Sequence, residues 1–580
     1  MSQTTACSLD CYDACSVALV DGKLKGVNNP YTHGYLCSHL NHYENHLRIT
    51  MPRYKGKNIS MEEAMHLLEE RCAKVSDPSQ VLHYRGQGNF GLMQGISDHF
   101  FANLGATLTD GSLCDGAGEA GIIEGRGENK LLPPEQIEKA EVVIVWGRNI
   151  HTSNAHLLPY VKNKKIIVID PIKTQMAENA DLFVQIKPKG DLYLALLLSR
   201  FVIINDLVDA DFLEEHAPEF EDFYELTQTV RIKAILDSID VSLGEVGAIL
   251  ELIKGKKTVI LAGVGVQKYR HGDEVMRAID SLGALLGLFG KEGCGVNFLG
   301  NSKEGVTLPF TTKAKTKPVA VGNADFGRFE MAFIQAANPL NQMPDTNRVK
   351  ASIEKNPFVV YFGLYENETS ELADLVIPAK SFLEKDDIRT SYGHPGLLAM
   401  PKLLDSEVGI SEYALSARLC KAFDIDIKSE LSYLEHFTLL GETRENDVVV
   451  KGREEVPYVE GFTTDEEEFC FLEEYELSPD DGKDLFLITI KSAKSLNSQF
   501  KREEKVYLNA SHGFKNDEKI RIRSQNGFVD LHVELDERLR DDSLLIYSGT
   551  KGVNLLTSSL LSYEGKNAAY QENKVRIEKC

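Results

Sequence analysis

Short apolar runs that end in glycine or a polar residue recur through the middle of the chain. Residues 141–147 and 165–171 are two such runs, and they place Gly147 and Asp170 just after the apolar positions. A third run, residues 258–265, ends in a glycine turn. Continuous apolar runs of this length are typical of strands that are buried on both faces of a parallel sheet. The pattern therefore predicts an α/β fold whose strand-end loops bind a ligand.

The same plan occurs a second time further along the chain. In each copy a strand is followed by an asparagine and then by an Ala-Asp-Leu triplet. The asparagine and aspartate are Asn149 and Asp181 in the first copy, 32 residues apart, and Asn338 and Asp374 in the second, 36 residues apart. The agreement in order and spacing predicts two related doubly wound α/β domains. The alternative is that the strand and turn units of any α/β protein produce such short matches by chance.

The carboxyl-terminal residues have a different pattern, with short strand-like runs separated by Gly, Asn and Asp. This punctuation predicts a β-barrel over residues 481–580. The preceding residues 430–484 are rich in Asp and Glu, and the simplest interpretation is a solvated connection.

Four of the ten cysteines, Cys7, Cys11, Cys15 and Cys37, lie close to the amino terminus. Four thiolates gathered by a short segment are the ligand set of a [4Fe-4S] cluster or of a four-thiolate zinc site. Zinc sites usually contain two close pairs, so three close cysteines and one distant cysteine favour the cluster. Zinc, disulfides and chance are the alternatives. Residues 17–27, with their Asp-Gly turn, predict a hairpin between the third and fourth ligands.

Cys114 has a different setting, because four glycines surround it between residues 111 and 121. Glycine lets the backbone approach a bulky ligand closely. Without other information, a buried cysteine in a glycine-rich turn is the simpler interpretation.

Composition and charge narrow the functional classes. With 64 Lys and Arg against 87 Asp and Glu, the formal charge of the 580 residues is -23, which disfavours binding to nucleic acid or to an anionic membrane surface. The sequence contains neither a long apolar window nor a basic, apolar leader. We therefore expect a cytoplasmic protein with reduced cysteines and no direct membrane insertion. An ordinary NAD site is not indicated, because no G-x-G-x-x-G follows the first strand.

Over essentially its whole length, the chain resembles the molybdopterin oxidoreductases of the dimethyl sulfoxide reductase superfamily. The resemblance rests on the four cysteines, on the Cys114 segment and on the strand-end loops of both copies; the Cys114 segment is similar to the metal-binding segment of formate dehydrogenases. It implies a [4Fe-4S] domain at residues 1–52, two related α/β domains at residues 53–480 and a barrel at residues 481–580. The first α/β copy would span about residues 53–190 and the second about residues 320–430, interleaved.

The resemblance also implies roles for particular residues. The four amino-terminal cysteines would hold the [4Fe-4S] cluster, and Cys114 would bind molybdenum or tungsten within a bis(molybdopterin guanine dinucleotide) cofactor. Asp115 would relay a proton at the same site. The other implied cofactor-binding residues are His39, Gly147, Asn149, His156, Asp170, Thr174, Asp191, Gly265, Asn338, Pro339, Thr369, Asp374, Asn497, Ser498 and Asn554.

Two positions depart from the family pattern. The family commonly has Cys-x-Lys at the fourth cluster ligand, with the lysine between the cluster and a pterin, whereas His39 occupies that position here. A neutral histidine lacks the permanent cation, so the reduction potential or the electron path would differ. Asp115 stands where formate-dehydrogenase-like members have histidine, which argues against formate oxidation.

We expect a redox enzyme that carries out two-electron or oxygen-atom-transfer chemistry on a small-molecule substrate. Electrons would pass through the cluster to a soluble carrier or to a small iron–sulfur subunit. Two alternatives remain open: a non-redox hydratase or hydroxytransferase that uses the same centre, and a metal-free electron-relay or scaffold subunit. The intact Cys114 loop and both asparagine turns count against the scaffold.

Overall fold

The computed structural model describes residues 4–580 except residues 42, 44–45, 87–90, 219, 440, 445–446, 451–453, 476–481 and 483. Within the described residues, no helix has both the length and the apolar composition that crossing a membrane requires. The helices are Met61–Lys74, Ile96–Leu104, Gly116–Arg126, Pro134–Lys139, Ile150–Ser153, Leu158–Val161, Asp191–Ile204, Ala210–His216, Glu221–Thr229, Ile232–Ile239, Leu243–Ile253, Gly272–Leu285, Pro339–Gln342, Thr346–Lys355, Glu368–Leu372, Glu412–Ala422 and Glu430–Thr438.

The amino-terminal segment forms an antiparallel sheet of three strands, Thr4–Ala6, Ser16–Val20 and Lys23–Gly26. The predicted hairpin is confirmed, because the second and third strands pair through a turn at Asp21 and Gly22, both of which have positive φ. The first two strands hold the loop between them closed. The loop that carries the first three cysteines of the amino-terminal group therefore starts from a paired, rigid base.

A five-stranded parallel sheet contains the first set of predicted strands. Its order is Leu182–Val184, Lys165–Ile169, Val142–Trp146, Thr258–Ala262 and Gly295–Asn297. Successive side chains of the central strand point to opposite faces, so Ile144 and Val145 enter separate apolar cores. Trp146 is fully buried, and its indole Nε1 donates to Asp191 Oδ1 at 2.7 Å. The continuous apolar character of these strands is explained by helices on both faces of the sheet.

A second sheet has eight strands, in the order Val319–Ala320, Thr107–Asp110, Val81–Arg85, Met331–Gln335, Val359–Gly363, Leu375–Pro378, Arg53–Tyr54 and Lys57–Asn58. The first six strands are parallel. The first copy was predicted to span residues 53–190. In the structure, the strands before residue 111 instead pair with strands after residue 318, in the eight-stranded sheet. The chain thus forms the first strands of the eight-stranded sheet, then the whole five-stranded sheet, and then the remaining strands of the eight-stranded sheet. Sequence order does not reveal such pairing, since parallel strands are joined by long crossovers.

The Ala-Asp-Leu triplets have the same structural role in both sheets. Asp181 Oδ2 accepts the backbone N–H of Ile166 at 2.9 Å, and Asp374 Oδ2 accepts that of Val359, also at 2.9 Å. Both carboxylates therefore lie at the amino ends of parallel strands, whereas ligands bind at the carboxyl ends. Asp374 was predicted to bind the cofactor. The structure corrects this assignment: its carboxylate holds the edge of a strand, and the repeated triplet marks a repeated fold rather than a repeated ligand contact.

The acidic segment before the barrel is more than a solvated connection. Tyr458, Phe462, Phe469 and Phe471 are buried in the core of the five-stranded sheet. Phe469 stacks on Phe289 with their ring centroids 5.6 Å apart. The expectation of a solvated connection is wrong for this part of the segment, because aromatic residues between the acidic ones supply a buried face.

The carboxyl-terminal strands close into the predicted barrel. Its order is Leu485–Ile488, Ser543–Leu545, Lys505–Leu508, Phe528–Leu535, Lys519–Arg523 and Lys574–Lys579. The last strand was not predicted. It alternates charged residues with Val575 and Ile577, which contribute to the barrel core. Two smaller sheets complete the described strands: Asp387–Arg389, Gly396–Met400, Asp447–Val450 and Gly441–Arg444 in one, and Ser495–Leu496 and Gln499–Phe500 in the other.

Candidate functional site

The four amino-terminal cysteines line one cavity of about 70 Å³ that opens to solvent. The backbone N–H of Cys7 donates to the carbonyl of Cys15 at 2.8 Å, which closes the loop that carries Cys11. Cys37 reaches the cavity from beyond the hairpin. The predicted ligand set is thus brought together in space, and none of these cysteines forms a disulfide.

The thiols of this cavity influence one another. Burial raises the pKa of Cys7 to about 12, and the neighbouring Cys37 contributes to this rise. Burial likewise raises the pKa of Cys15 well above its ordinary value, with Cys7 and Cys11 as further causes. In the described part of the chain, no three His, Cys, Asp or Glu side chains converge on a single metal ion.

Three histidines, His39, His151 and His156, line the cysteine cavity, and His39 and His156 lie against its sulfur atoms. His156 Nδ1 donates to Asp13 Oδ2 at 2.7 Å, so its Nε2 faces Cys15 Sγ at 3.6 Å. His156 was predicted in the first dinucleotide loop, but the structure places it beside this cavity. His39 Nε2 donates to the carbonyl of Ser495 at 3.2 Å, and its Nδ1 lies 3.9 Å from Cys37 Sγ. Burial lowers the pKa of His39.

Cys114 lies immediately before the helix Gly116–Arg126, and backbone contacts hold its loop. Its N–H donates to Ser112 Oγ at 2.8 Å, and its carbonyl accepts from Gln267 Nε2 at 2.7 Å. Ser112 Oγ in turn donates to Asp115 Oδ1 at 2.8 Å. The glycines have a specific use here, since a Cβ on Gly116 would lie 2.7 Å from the carbonyl oxygen of Gly565. The start of this helix therefore packs closely against the backbone of the carboxyl-terminal domain at Gly565.

Charged groups surround Cys114. The pKa of its thiol is raised to about 12. Burial is the largest cause and Asp115 adds to the rise, whereas Lys268 and Lys491 partly offset it. Burial also raises the pKa of Asp115. Lys268 comes from the turn after Thr258–Ala262, and its Nζ lies 5.0 Å from the ring centroid of Tyr570. Lys268 was not predicted as a site residue, because it stands in an ordinary turn. Lys491 belongs to residues 491–500, a barrel segment that the family resemblance implies to contact the pterins.

The predicted first-copy loops meet at the carboxyl ends of the central strands of the five-stranded sheet. Gly147 has φ +59°, and a Cβ on Gly263 would lie 1.9 Å from the carbonyl oxygen of Gly147. Gly265 is also close, with its Cβ position 3.3 Å from the same oxygen. These two loops approach so closely that only glycine fits. Asn149 caps the helix Ile150–Ser153 through its carbonyl.

Two buried carboxyl groups follow the first-copy strands. Asp170 Oδ1 accepts the N–H of Ile172 at 2.8 Å, and Asp191 accepts from the indole of Trp146. Burial raises the pKa of Asp170 to about 7 and that of Asp191 to about 6. Thr174 is buried nearby, and its Oγ1 accepts the N–H of Ala177 at 3.4 Å. All three side chains thus have hydrogen-bond partners within the protein, and Asp170 is the less stable of the two buried carboxylate charges.

The buried carboxyl of Asp170 predicts a pH-dependent stability. Its folded-state pKa lies above the unfolded value of about 4, so the folded chain holds the extra proton and stability falls as pH rises from about 4 to 7. We expect Asp170→Asn to stabilise cofactor-free protein by about 2–4 kcal/mol at about pH 8 and by a smaller amount, about 1–1.5 kcal/mol, at about pH 5. Thermal unfolding at both pH values measures this difference.

Asp181→Asn is the matched control for that experiment. The neighbouring Lys165 ammonium lowers the pKa of Asp181, so its charge stabilises the fold above the unfolded pKa. Its replacement is expected to shift stability in the opposite direction at about pH 8. An equal gain from Asp170→Asn at both pH values would contradict the buried-charge explanation.

The second-copy loop is held by side-chain hydrogen bonds. Asn338 Nδ2 donates to Glu368 Oε2 at 2.8 Å, and Asn338 Oδ1 accepts from Thr369 Oγ1 at 2.8 Å. Pro339 begins the short helix that follows. Asn341, in this helix, buries an Oδ1 atom that has no hydrogen-bond partner within the described part of the chain. An unsatisfied buried acceptor at a strand-end loop is an open position for a donor group of a ligand.

The predicted barrel residues connect the domains. Asn497 Nδ2 donates to Asp10 Oδ2 at 2.9 Å, and Ser498 follows it in the turn between the two short strands. Asn554 Nδ2 donates to the carbonyl of Asn341 at 2.6 Å. The barrel thus contacts the loop before Cys11 through Asn497 and the second-copy loop through Asn554.

Comparison with known proteins decides the family. A family model described as molybdopterin oxidoreductase matches residues 92–395, which is more than half of the chain. A Bacillus subtilis protein with the name probable oxidoreductase YyaE is 32% identical over 427 residues, which cover 67% of this chain and 64% of that protein. The chain belongs to the molybdopterin oxidoreductase family, within the dimethyl sulfoxide reductase superfamily. The resemblance predicted from the sequence is therefore confirmed.

Other members of the family are more distant. The assimilatory nitrate reductase catalytic subunit of Bacillus subtilis is 23% identical over 422 residues, covering 63% of this chain and 59% of that protein. Formate dehydrogenase H of Escherichia coli is 24% identical over 387 residues, covering 58% and 54%. The chain spans 64% of the length of the YyaE protein that it matches. A solved structure of acetylene hydratase from Pelobacter acetylenicus has a TM-score of 0.78 at 16% identity and covers both chains completely, which is a likeness of fold.

Proposed function

We propose that this member of the molybdopterin oxidoreductase family catalyses two-electron or oxygen-atom-transfer chemistry on a small molecule at a Cys114-ligated molybdenum or tungsten centre. One [4Fe-4S] cluster, held by a domain of residues 1–52, would relay the electrons. The observation that carries the proposal is that all four amino-terminal cysteines line one cavity. Cys114 stands apart from them, in a loop whose backbone is held by Ser112 and Gln267.

The residues present fit these groups. Four thiols that line one cavity suit a cluster, in which each iron takes one cysteine. The tight glycine approach at Gly147 and the unsatisfied Oδ1 of Asn341 fit a ligand that lies across the strand ends of both sheets. When bound, the dithiolene-held metal supplies two-electron redox chemistry and prefers soft sulfur donors such as the Cys114 thiolate.

The remaining predicted residues receive roles from their positions. We propose that Asn149, Asp170, Thr174, Asp191 and Gly265 line or support one guanine dinucleotide arm at the five-stranded sheet. Asn338, Pro339 and Thr369 support the second arm at the eight-stranded sheet, and Asn497, Ser498 and Asn554 close the barrel over the cofactor. Asp115, next to Cys114, holds and passes a proton at the reacting position.

The electron partner is expected to dock at the cysteine cavity. Cys11 and Cys37 are partly exposed at the cavity mouth, whereas Cys7 and Cys15 are buried. A soluble carrier or a small iron–sulfur subunit would approach the cluster there, because electron transfer requires a short distance between centres.

Anaerobic purification with metal analysis tests the proposal. We expect roughly four irons per chain and one molybdenum or tungsten. Cys11→Ser is expected to lower the iron content severely, because the cluster loses one of four ligands, whereas Cys72→Ser, at a buried cysteine of the eight-stranded sheet core, should keep it. Iron without molybdenum or tungsten would instead support the scaffold subunit.

A dye-linked substrate screen distinguishes the redox function from the non-redox alternative. A non-redox hydratase or hydroxytransferase would convert its substrate without reducing an artificial dye. Dye reduction that accompanies turnover supports the redox function, and turnover with an unreduced dye would overturn it.

A further inference from the structure

One short segment of the chain holds the loop between Cys11 and Cys15 on one side. The segment, residues 389–394, starts at the end of the strand Asp387–Arg389, and Arg389 lies 378 positions beyond Cys11. Its side chains donate to three successive backbone carbonyls: Arg389 to Cys11 at 2.9 Å, Ser391 Oγ to Tyr12 at 2.8 Å and His394 Nε2 to Asp13 at 2.8 Å. All three donors are buried, so these hydrogen bonds form in a poorly solvated environment.

The hydrogen bonds of His394 fix the direction in which it donates. The N–H of Gly396 donates to His394 Nδ1 at 3.1 Å, so the ring hydrogen lies on Nε2 and points to the Asp13 carbonyl. The ring also stacks on Tyr31, with the ring centroids 4.4 Å apart and the planes 1° from parallel. Tyr31 is itself held in the amino-terminal segment, where its N–H donates to Asn29 Oδ1 at 2.9 Å. His394 is thus a donor of fixed orientation.

The held carbonyls determine where the N–H groups of the same peptide units point. A planar trans peptide unit directs its C=O and its N–H to opposite sides. The N–H groups of residues 12–14 therefore point away from residues 389–394. Ala14, at φ +50°, lies in the left-handed region, which turns successive N–H groups toward one concave side. Such arrays of N–H groups bind anions, and Asp13 and Ala14 line the cysteine cavity.

Contacts with sulfur indicate the same orientation. The N–H of Leu9 donates to Cys7 Sγ at 3.4 Å, at the start of the loop. Burial and the Asp13 carboxylate raise the pKa of the Cys11 thiol, and a hydrogen bond from the N–H of Asp13 partly offsets this rise. The peptide unit whose carbonyl accepts from Ser391 therefore has its N–H directed at a cysteine sulfur.

We propose that Arg389, Ser391 and His394 position this loop so that its N–H groups face the iron–sulfur cluster, and that this orientation holds the reduction potential of the cluster up. The inference rests on the proposed function, which supplies the cluster. A cluster that takes up one electron becomes more negative, and hydrogen bonds to its sulfur atoms stabilise the reduced form. The hydrogen bonds of the three side chains go to the loop backbone, so they are positioning residues that act through the peptide units.

Ser391→Ala removes one of the three donors without changing a charge. Redox titration of anaerobically purified protein, followed by electron paramagnetic resonance of the reduced cluster, measures the effect. We expect one-electron reduction to become about three- to tenfold weaker, a downward shift of about 30–60 mV, because the peptide unit can turn its N–H away from Cys11. Arg389 is left unchanged, since its charge also acts on Cys7 and would confuse the comparison.

Two substitutions of His394 separate hydrogen-bond donation from ring stacking. His394→Phe keeps an aromatic ring against Tyr31 but cannot donate to the Asp13 carbonyl, so we expect a downward shift similar to that of Ser391→Ala. His394→Gln loses the ring but can place an amide N–H where Nε2 was, so the potential should stay near that of the wild type. The opposite order, with Phe tolerated and Gln shifted, would overturn the proposal, because the ring would then act by packing alone.

Ser199→Ala is the matched control, because Ser199 is a buried serine whose Oγ donates to the carbonyl of Ala195 at 2.9 Å, within the helix Asp191–Ile204. It loses the same kind of hydrogen bond outside the cysteine cavity, and the potential should equal that of the wild type. A shift in Ser391→Ala no larger than that in Ser199→Ala would overturn the proposal. Loss of iron from Ser391→Ala would also overturn it, since the segment would then serve cluster retention. Wild-type protein without iron would instead refute the proposed function, and metal analysis shows this before the titration begins.

Discussion

Replacement of Cys114 by alanine is expected to reduce dye-linked turnover by more than about 100-fold while the absorbance of the iron–sulfur cluster stays unchanged. Loss of a residue that only supports a metal ligand typically costs 10–100-fold, so loss of the ligand itself should exceed about 100-fold. The loop should keep its shape, because Ser112 and Gln267 hold Cys114 through its backbone N–H and carbonyl. The expected result is a folded protein with a cluster and no catalysis.

Cys470→Ala controls for the loss of a thiol. Cys470 is partly buried in the segment before the barrel, and its sulfur lies 3.8 Å from Glu466 Oε2. This variant should retain full turnover with the substrate found in the screen. Undiminished activity of Cys114→Ala would remove the thiol from the mechanism, and loss of cluster absorbance would mean that the variant disturbs more than the metal site.

The second large effect is expected on stability, at the ion pair between Arg126 and Asp280. The side chains are 1% and 0% exposed. Arg126 Nε donates to Asp280 Oδ2 at 2.8 Å, and the guanidinium carbon lies 4.6 Å from the ring centroid of Phe289. Asp280→Ala leaves this guanidinium buried among aromatic rings without its counter-ion. We expect a loss of about 3–5 kcal/mol, measured from the urea midpoint of the first unfolding transition.

Two further variants separate the buried charge from simple loss of a contact. The double variant Arg126→Met with Asp280→Leu removes both charges and should recover most of the lost stability, since apolar packing can replace a buried pair. Glu292→Ala breaks the exposed pair with Lys139 and should cost far less stability than Asp280→Ala. Equal losses from Asp280→Ala and from the double variant would show that packing, rather than the unpaired charge, determines the effect.

Much of the α/β architecture could be predicted because buried parallel strands are continuously apolar. The strands Val142–Trp146, Lys165–Ile169 and Thr258–Ala262 lie where the apolar runs placed them. The same argument located the barrel, apart from its last strand. It could not find the aromatic core contribution of residues 458–471, since acidic neighbours dominate the local composition there.

Candidate site residues could be predicted where the residue type is rare and takes part in few kinds of chemistry. The amino-terminal cysteines were found by their clustering, and the structure brings them to one cavity. Asp374 was misassigned, because a repeated motif is equally compatible with a repeated ligand contact and a repeated fold contact. Its hydrogen bond to Val359 distinguishes the two.

The sequence by itself determined the order of the structural units, the thiol groups and the repeated strand-and-turn plan, since each depends on residue type and short spacing. Only the tertiary structure decided which groups act together. It paired the strands before residue 111 with those after residue 318, placed His156 beside the cysteine cavity and brought Lys491 from the barrel to that cavity. Contacts between residues hundreds of positions apart form when whole domains pack, and no local pattern of side chains records that packing.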